Sequence, residues 1–282
     1  MLNNRILINY IIQFVFSSFT VLINPFIVFR LLRRSKNDNH YTMLLMNICF
    51  HWLFALSVVL HDGYVFFGEA TSYFHPCLIF TTGLFRVLTF ICTGISDFFV
   101  ALDRYTAISN VMNYSIYHKK RLTIISSLAN LTAFIALLVI CLLNQIEAKP
   151  GAILAMDFIN PSVGDCIFVL NTVLLVLFSL ISLFFLFKIR EYSRNSTAAA
   201  SQRNMNKANA IVTSQIVASV VLWILPSVLT IVVVFGFNIR MWNILGPYAV
   251  TLSTVYLMSC SFIYRCPTKQ LVFHVSLDAR CI

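Results

Sequence analysis

The sequence predicts an all-α fold, an integral membrane bundle of seven transmembrane helices with the amino terminus outside and the carboxyl terminus inside. Three observations predict it: the shortage of charge, the number of long apolar runs, and the uneven distribution of lysine and arginine. Of 282 residues, 59% are hydrophobic and only 11% are charged, whereas soluble domains carry about 25% charged residues. This composition has too little charge to cover a globular surface in water.

Seven apolar runs are long enough to cross about 30 Å of hydrocarbon, and each predicts one transmembrane helix. Only the third run contains ionised residues, Arg86 and Asp97. The first run is too long for the core of a signal peptide and is expected to be a span. A single domain, 1–282, is predicted, with a short cytoplasmic tail at 265–282. The predicted spans are Ile6–Phe29, Tyr41–Leu60, Pro76–Ala101, Leu122–Leu143, Cys166–Phe187, Ala210–Phe237 and Trp242–Tyr264.

The orientation follows from the loops between these spans. Sixteen of the 20 lysines and arginines fall in alternate links and in the tail, whereas three fall on the opposite side. Cytoplasmic loops are the ones enriched in lysine and arginine, so the basic side is predicted to be inside. The formal charge of +10 is therefore explained by membrane topology, and no nucleic-acid partner is expected. The opposite side carries acidic residues, namely Asp62, Glu69, Glu147, Asp157 and Asp165.

The third span carries a column of charge. Arg86, Asp97 and Arg104 are separated by 11 and 7 residues, and on a helix each of these steps returns to within about 20° of the same face. Ionisable groups in a membrane helix face the bundle interior, so all three are predicted to point inward. Arg104 stands between Asp103 and Tyr105 at the cytoplasmic end of the span, where the adjacent carboxylate is a local partner for the guanidinium.

The tripeptide Asp103-Arg104-Tyr105, at the inner end of the third of seven spans, resembles the same feature of rhodopsin-like G-protein-coupled receptors. The short ends and divergent motifs resemble the nematode serpentine chemoreceptors in particular. This resemblance covers nearly the whole chain in topology and only part of the motifs. It implies an extracellular small-molecule ligand, a heterotrimeric G protein, an arrestin-type regulator, and the plasma membrane of a sensory cell. No cofactor is expected.

Carried over onto this sequence, the resemblance implies that Arg104 inserts toward the G protein and that Asp103 restrains it. Cys77 and Cys166 match the family's external disulfide, and they are the two cysteines expected on the oxidising side. The alternative is two free thiols at the membrane interface. Asn24 matches the asparagine of the family's first helix.

Three further features depart from the family pattern. Trp223 and Pro226 resemble the tryptophan-proline pair of the sixth helix, but two residues separate them where the family has one. Tyr264 keeps the tyrosine of the last-helix motif, whose proline is replaced by Ser261. The second span lacks the family's internal carboxylate, because Asp62 is predicted at its outer end. These departures leave the predicted fold intact and concern the activation mechanism.

Arg86 lies 18 residues before Arg104, about 27 Å along a helix, in the outer half of the third span. One hypothesis makes Arg86 a ligand anchor for an anionic or carbonyl-bearing molecule. The alternative is a structural arginine satisfied by carbonyls or by the external loop. Phe90, Trp223 and Tyr248 are candidate aromatic ligand contacts. Asp97, deeper in the span, is expected to hold a network of water or ions.

An enzyme and a transporter or channel subunit are the alternatives to a receptor. Enzymatic activity is not expected, because His51 is the one histidine within a predicted span and no metal shell is apparent. A transporter or channel subunit is the main alternative, with Arg86 and Asp97 as a substrate or proton path. In the tail, Cys266 and Cys281 are either palmitoylation sites or free thiols.

Overall fold

The computed structural model describes residues 4–35, 42–71, 74–109, 116–147, 154–195, 214–237 and 247–278. These residues are almost entirely helical, apart from short connections and one isolated antiparallel bridge between Gln145 and Ile159. The helices are α1 Asn4–Ser35, α2 Thr42–Thr71, α3 Pro76–Ser109, α4 Ile116–Leu143, α5 Pro161–Asn195, α6 214–237 and α7 Tyr248–Asp278, with a 3₁₀ turn at Ala155–Phe158.

Five of these helices, α1 to α5, contain stretches long and apolar enough to cross a membrane. The apolar stretch of α6, Ser214–Thr230, is shorter. Helix α7 is not among the five, which fits the threonines and serines along it. These are Thr251, Ser253, Thr254, Ser259 and Ser261. The predicted all-helical fold is therefore confirmed for the described residues, and five of the predicted spans correspond to helices that could cross a membrane. Trp242 and Cys281 lie outside the described residues, as does the side chain of Cys266.

Polar groups are buried in the bundle while large apolar side chains lie on its outside. In α1, five polar residues at alternating spacings of three and four occupy the buried face: Tyr10, Gln13, Ser17, Thr20 and Asn24. The same helix exposes Phe19, Leu22 and Phe26. This pattern is the inverse of a helix on a soluble protein, and it fits a surface solvated by lipid.

Helix α3 lies at the centre of the bundle and positions the groups described below. It packs against α2, α4 and α5. Helix α1 packs against α2 and α7, and the middle of α6 contacts α5 and α7, so α3 closes a ring of contacts with these five helices while α4 packs against α3. Arg86, Asp97 and Arg104 were predicted to face the interior of the bundle. The prediction is confirmed for Arg86 and Asp97, which are buried, whereas Arg104 is 31% exposed.

Helix α2 is longer than the sequence predicts. The predicted span ends at Leu60, but the helix continues to Thr71. Two residues placed outside the span, His61 and Asp62, therefore lie within the helix and are fully buried. The buried face simply continues through Val65 and Gly68 at helical spacing, because no proline interrupts the chain there.

The 3₁₀ turn packs directly onto the amino-terminal half of α3. The rings of Phe80 and Phe158 are 5.9 Å apart, and the Ile146 N–H donates to Phe158 O at 2.9 Å. The predicted disulfide is absent from the structure: Cys77 and Cys166 are free and exposed, and no cysteines of the described residues lie at disulfide distance. Packing and backbone hydrogen bonds, rather than a covalent link, hold this turn against the bundle.

Gly83 makes this close approach possible. A Cβ atom at residue 83 would lie 2.7 Å from the Ala155 Cβ and 3.1 Å from the His61 ring. Gly83→Ala is therefore expected to destabilise the protein by about 1–3 kcal/mol through overpacking. The measurement is thermal unfolding of the purified protein in lipid nanodiscs.

Gly236→Ala is the matched control for this substitution. No atom of the described residues lies within 4 Å of a Cβ built at this helical glycine, so alanine there is expected to be neutral or to stabilise by up to about 1 kcal/mol. Equal unfolding temperatures for the two variants would contradict the close contact between the turn and α3.

Candidate functional site

An ion pair is buried in the amino-terminal half of α3. The Arg86 Nη1 lies 3.2 Å from the Asp62 Oδ1 of α2, and the two side chains are 5% and 0% exposed. The same nitrogen lies 3.4 Å from the Gln13 Oε1 of α1. Arg86 therefore joins three helices, and a carboxylate that the sequence analysis placed at the helix end balances its charge.

Gln13 extends this group of contacts to α7. Its amide nitrogen donates to Thr251 Oγ1 at 2.8 Å and to Pro247 O at 3.0 Å. The Thr251 hydroxyl lies 3.1 Å from Asn9 Oδ1. A continuous chain of polar contacts thus runs from α3 through α1 to the start of α7.

His61 and Tyr10 complete the group. His61 Nδ1 lies 3.0 Å from Thr82 Oγ1, and its ring centroid is 6.3 Å from that of Tyr10. Tyr10 and His61 are both fully buried. We refer to Tyr10, Gln13, His61, Asp62 and Arg86 as the Arg86 cluster.

A second polar group surrounds Asp97, about 16 Å further along α3. Asp97 Oδ1 accepts hydrogen bonds from Asn47 Nδ2 and from His51 Nε2, each at 3.0 Å. Asp97 Oδ2 accepts from the Tyr256 hydroxyl of α7 at 3.2 Å, and Gln215 of α6 reaches that hydroxyl at 3.4 Å. A carboxylate is an acceptor with two oxygens, so three donors suit it well. This Asp97 cluster joins α2, α3, α6 and α7.

Asp97 was predicted to hold a network of water or ions, and in the structure protein side chains hydrogen-bond to both of its carboxylate oxygens. Asn47, His51 and Tyr256 occupy three of its hydrogen-bonding positions at direct contact distance. All of these side chains are at most 1% exposed. Asp97 is therefore a structural junction among helices in this conformation.

A stack of aromatic rings lies beside the Asp97 cluster. Phe90 of α3 is 5.3 Å from Phe54 of α2 and 5.5 Å from Trp223 of α6. Trp223 is in turn 5.3 Å from Tyr256 of α7. Such tilted ring pairs add about 0.5–1.5 kcal/mol each beyond area burial. The predicted pair Phe90 and Trp223 is therefore brought together, as part of the core.

The unusual spacing between Trp223 and Pro226 has a structural explanation. Val220–Ile224 form a π-helical turn, closed by the Leu225 N–H bonding to Val220 O. A π turn accommodates one more residue than an α turn, so the helix faces before and after it stay in register. The π turn accommodates the additional residue between Trp223 and Pro226, and Trp223 remains 3% exposed in the core.

Asp103, Arg104 and Tyr105 lie near the carboxyl-terminal end of α3. The Arg104 Nε is 3.9 Å from Asp103 Oδ2, the carboxylate being buried and the guanidinium partly exposed. The Tyr105 ring is 6.5 Å from Phe184 of α5. The arginine is therefore accessible at this end of the bundle, while its neighbours are packed.

Helices α1 and α7 meet at two of the predicted motif positions. The Ser261 hydroxyl, at the position of the family's proline, donates to Asn24 Oδ1 at 2.7 Å. Tyr264, three residues later, is 5% exposed and packs in a core with Ile27 and Leu31 of α1. The serine thus provides a direct polar link between the two helices.

The four predicted ligand contacts have different partners in the structure. Arg86 faces α1 and α2, whereas Phe90 and Trp223 stack together elsewhere. The Tyr248 hydroxyl is hydrogen-bonded to Thr230 of α6. A site centred on Arg86 therefore takes its neighbours from α1 and α2.

Sequence reasoning missed most partners of the two clusters. It found Arg86 and Asp97, because helical spacing relates residues of one helix. The sequence nevertheless indicated the partners on α2. Its polar residues Asn47, His51, His61 and Asp62 recur at helical intervals and so lie toward one face of the helix. Following that spacing past Leu60 would have placed Asp62 inside the bundle.

No protein-family model matches this chain, and no curated protein is significantly similar to it.

Proposed function

We propose that this chain is a G-protein-coupled receptor, of a chemosensory type, which binds a small extracellular molecule and activates a heterotrimeric G protein. The observation that carries the proposal is the arrangement along α3. A buried polar cluster lies in each half of the helix, and the partly exposed Arg104 lies near its carboxyl-terminal end. Receptors need such a connection between a ligand site and a distant effector surface.

The proposed topology has seven spans, with the amino terminus outside and the carboxyl terminus in the cytoplasm of a plasma membrane. The excess of lysine and arginine in alternate links supports it. In this orientation the Arg86 cluster lies in the outer half of the membrane, and Arg104 faces the cytoplasm. Tags on the two ends that report the same compartment would contradict this topology.

The proposed activation mechanism passes through the Asp97 cluster. This cluster joins α2, α3, α6 and α7, and Trp223 packs against Tyr256 within it. A ligand that moves α3 relative to α2 or α7 would change these contacts, since packed interfaces have discrete arrangements. Separation of the helices would expose Arg104 further to the G protein, with Asp103 as its restraint.

The test is a screen of volatile and water-soluble metabolites on cells expressing the chain, with a sensor of G-protein activation as the readout. Arg104→Ala is expected to reduce the evoked G-protein response by about tenfold or more, the usual range of coupling between sites. Arg121→Ala removes a basic, exposed side chain at the start of α4 and is expected to leave the response unchanged. Equal responses in both variants at equal surface expression would contradict the role of Arg104.

A transporter or channel subunit is the second candidate. The favouring observation is the pair of buried ionisable contacts at two depths of α3, Arg86 with Asp62 and Asp97 with His51. Such groups mark substrate or proton paths in some membrane proteins. A current evoked by a ligand in the absence of any G protein would favour this candidate over the receptor.

A further inference from the structure

Four buried polar atoms in the Arg86 cluster have no hydrogen-bond partner among the described residues. They are the Tyr10 hydroxyl, His61 Nε2, Asp62 Oδ2 and Arg86 Nε. Their side chains are at most 5% exposed. A buried polar atom left unpaired costs about 1–3 kcal/mol. A small molecule that reached these atoms and paired with them would recover part of that free energy.

The charge of the cluster restricts what such a molecule can be. Arg86 and Asp62 form a single contact at 3.2 Å and already balance each other. A bound carboxylate or ammonium would add an uncompensated charge to a buried, low-dielectric site, which is costly. The preferred molecule is therefore uncharged, in contrast to the anionic ligand that Arg86 alone suggested.

The donor and acceptor roles of these four atoms restrict the class of molecule that can bind to them. The Thr82 hydroxyl donates its proton to Leu78 O at 2.6 Å, so its oxygen accepts from His61 Nδ1 at 3.0 Å. In an uncharged imidazole the other nitrogen, His61 Nε2, is then an acceptor. Asp62 Oδ2 is a second acceptor and Arg86 Nε is a donor. A complementary molecule must offer two donors and one acceptor, and the Tyr10 hydroxyl can take either role.

We propose that the Arg86 cluster is a binding site for small uncharged molecules bearing a primary carboxamide group. The two N–H bonds of the amide would face Asp62 and His61, and its carbonyl would face Arg86. This proposal rests on the receptor function proposed above and names the chemical class of its ligand. It places that ligand between α1, α2 and α3, away from Trp223 and Tyr248.

The test compares three small probes with a three-carbon chain, propionamide, propionate and propylamine, on the full-length protein purified in lipid nanodiscs. Thermal unfolding is measured with each probe. At a tenfold excess over its dissociation constant, propionamide is expected to raise the unfolding temperature by about 3 °C. At the same concentration, propionate and propylamine are expected to give smaller shifts in the unfolding temperature. An equal or larger shift with propionate, or no shift with any probe, would overturn the proposal.

Two variants and one control assign the effect to the cluster. Asp62→Asn leaves the Arg86 charge unbalanced, and the preference is expected to change from propionamide to propionate. Tyr10→Phe removes only the hydroxyl, so it is expected to weaken propionamide binding severalfold, measured as the shift from the variant's own unfolding temperature without probe. Asp165→Asn, an exposed acid on α5, is expected to behave as the wild type. If Asp62→Asn does not fold, the comparison of Tyr10→Phe with Asp165→Asn still decides.

This readout requires no G protein, so the two proposals fail separately. Propionamide binding without any effect on nucleotide exchange would count against the receptor function and leave the site standing. A ligand-evoked G-protein response, together with Tyr10→Phe and Asp165→Asn proteins that respond alike to propionamide, would overturn the site alone.

Discussion

Asp97→Ala is expected to destabilise the protein by about 3–5 kcal/mol, the usual cost of removing one partner from a buried charged contact. The substitution would leave the Asn47 amide, the His51 ring nitrogen and the Tyr256 hydroxyl without their shared acceptor. These groups come from two different helices, so the loss also loosens α2 and α7 from α3. Thermal unfolding in nanodiscs measures the stability, and surface expression in cells should fall with it.

Asp97→Asn is the matched control, because asparagine keeps the shape and one acceptor oxygen. Its cost is expected to be about 1–3 kcal/mol, since one of the donors loses a partner. Asp165→Ala removes an acid from an exposed position of α5 and should change the stability by less than about 0.5 kcal/mol. The role of Asp97 as a junction would be wrong if the Asp97→Ala and Asp165→Ala variants had the same unfolding temperature.

Helical spacing in the sequence correctly predicted two of the three charged residues of α3 that were expected to face inward. Spacings of 11 and 7 residues fix a common helix face whatever surrounds it, and both Arg86 and Asp97 are buried as expected. The partners could not be found in the same way. Tyr256 is 159 residues from Asp97 in the chain, and contacts at such separations depend on how whole helices pack.

The length of α2 shows a different limit. A hydropathy count ended the span at Leu60 because His61 and Asp62 are polar. The structure shows instead that both side chains are buried on the inward face of a longer helix. A membrane bundle can bury ionisable groups when they pair with one another, and here Arg86 is the partner of Asp62. Helical spacing is thus a better guide to the end of such a span than polarity.

The disulfide was predicted from the resemblance and from the expected position of Cys77 and Cys166 on the oxidising side, and the structure has packing in its place. The turn at Ala155–Phe158 is held by Phe80 and by the close approach at Gly83. A matched pair of cysteines in the sequence indicates which segments are neighbours only if the loops follow the family geometry. Here the 3₁₀ turn occupies the surface of α3 directly, and both thiols remain exposed.

The π turn of helix α6 is expected to keep the two halves of this helix in register. The π turn at Val220–Ile224 holds one extra residue, so the helix has already absorbed one insertion relative to a regular helix. One alanine inserted between Leu225 and Pro226 is expected to rotate one flank by about 100° relative to the other. Either Trp223 leaves the core or Thr230 loses Tyr248. The expected cost is about 3–5 kcal/mol, comparable with removing a buried tryptophan.

Deletion of Leu225 should have the opposite outcome, although it also changes the length of α6 by one residue. Leu225 is 55% exposed, and without it the π turn can close into a regular α turn while both flanks keep their faces. Trp223 then stays in the core, and the cost is expected to be at most about 1 kcal/mol, in line with substitutions at exposed positions. Unfolding temperatures of the two variants in nanodiscs measure the difference. If the deletion destabilised the protein as much as the insertion, the π turn would not be the element that keeps α6 in register.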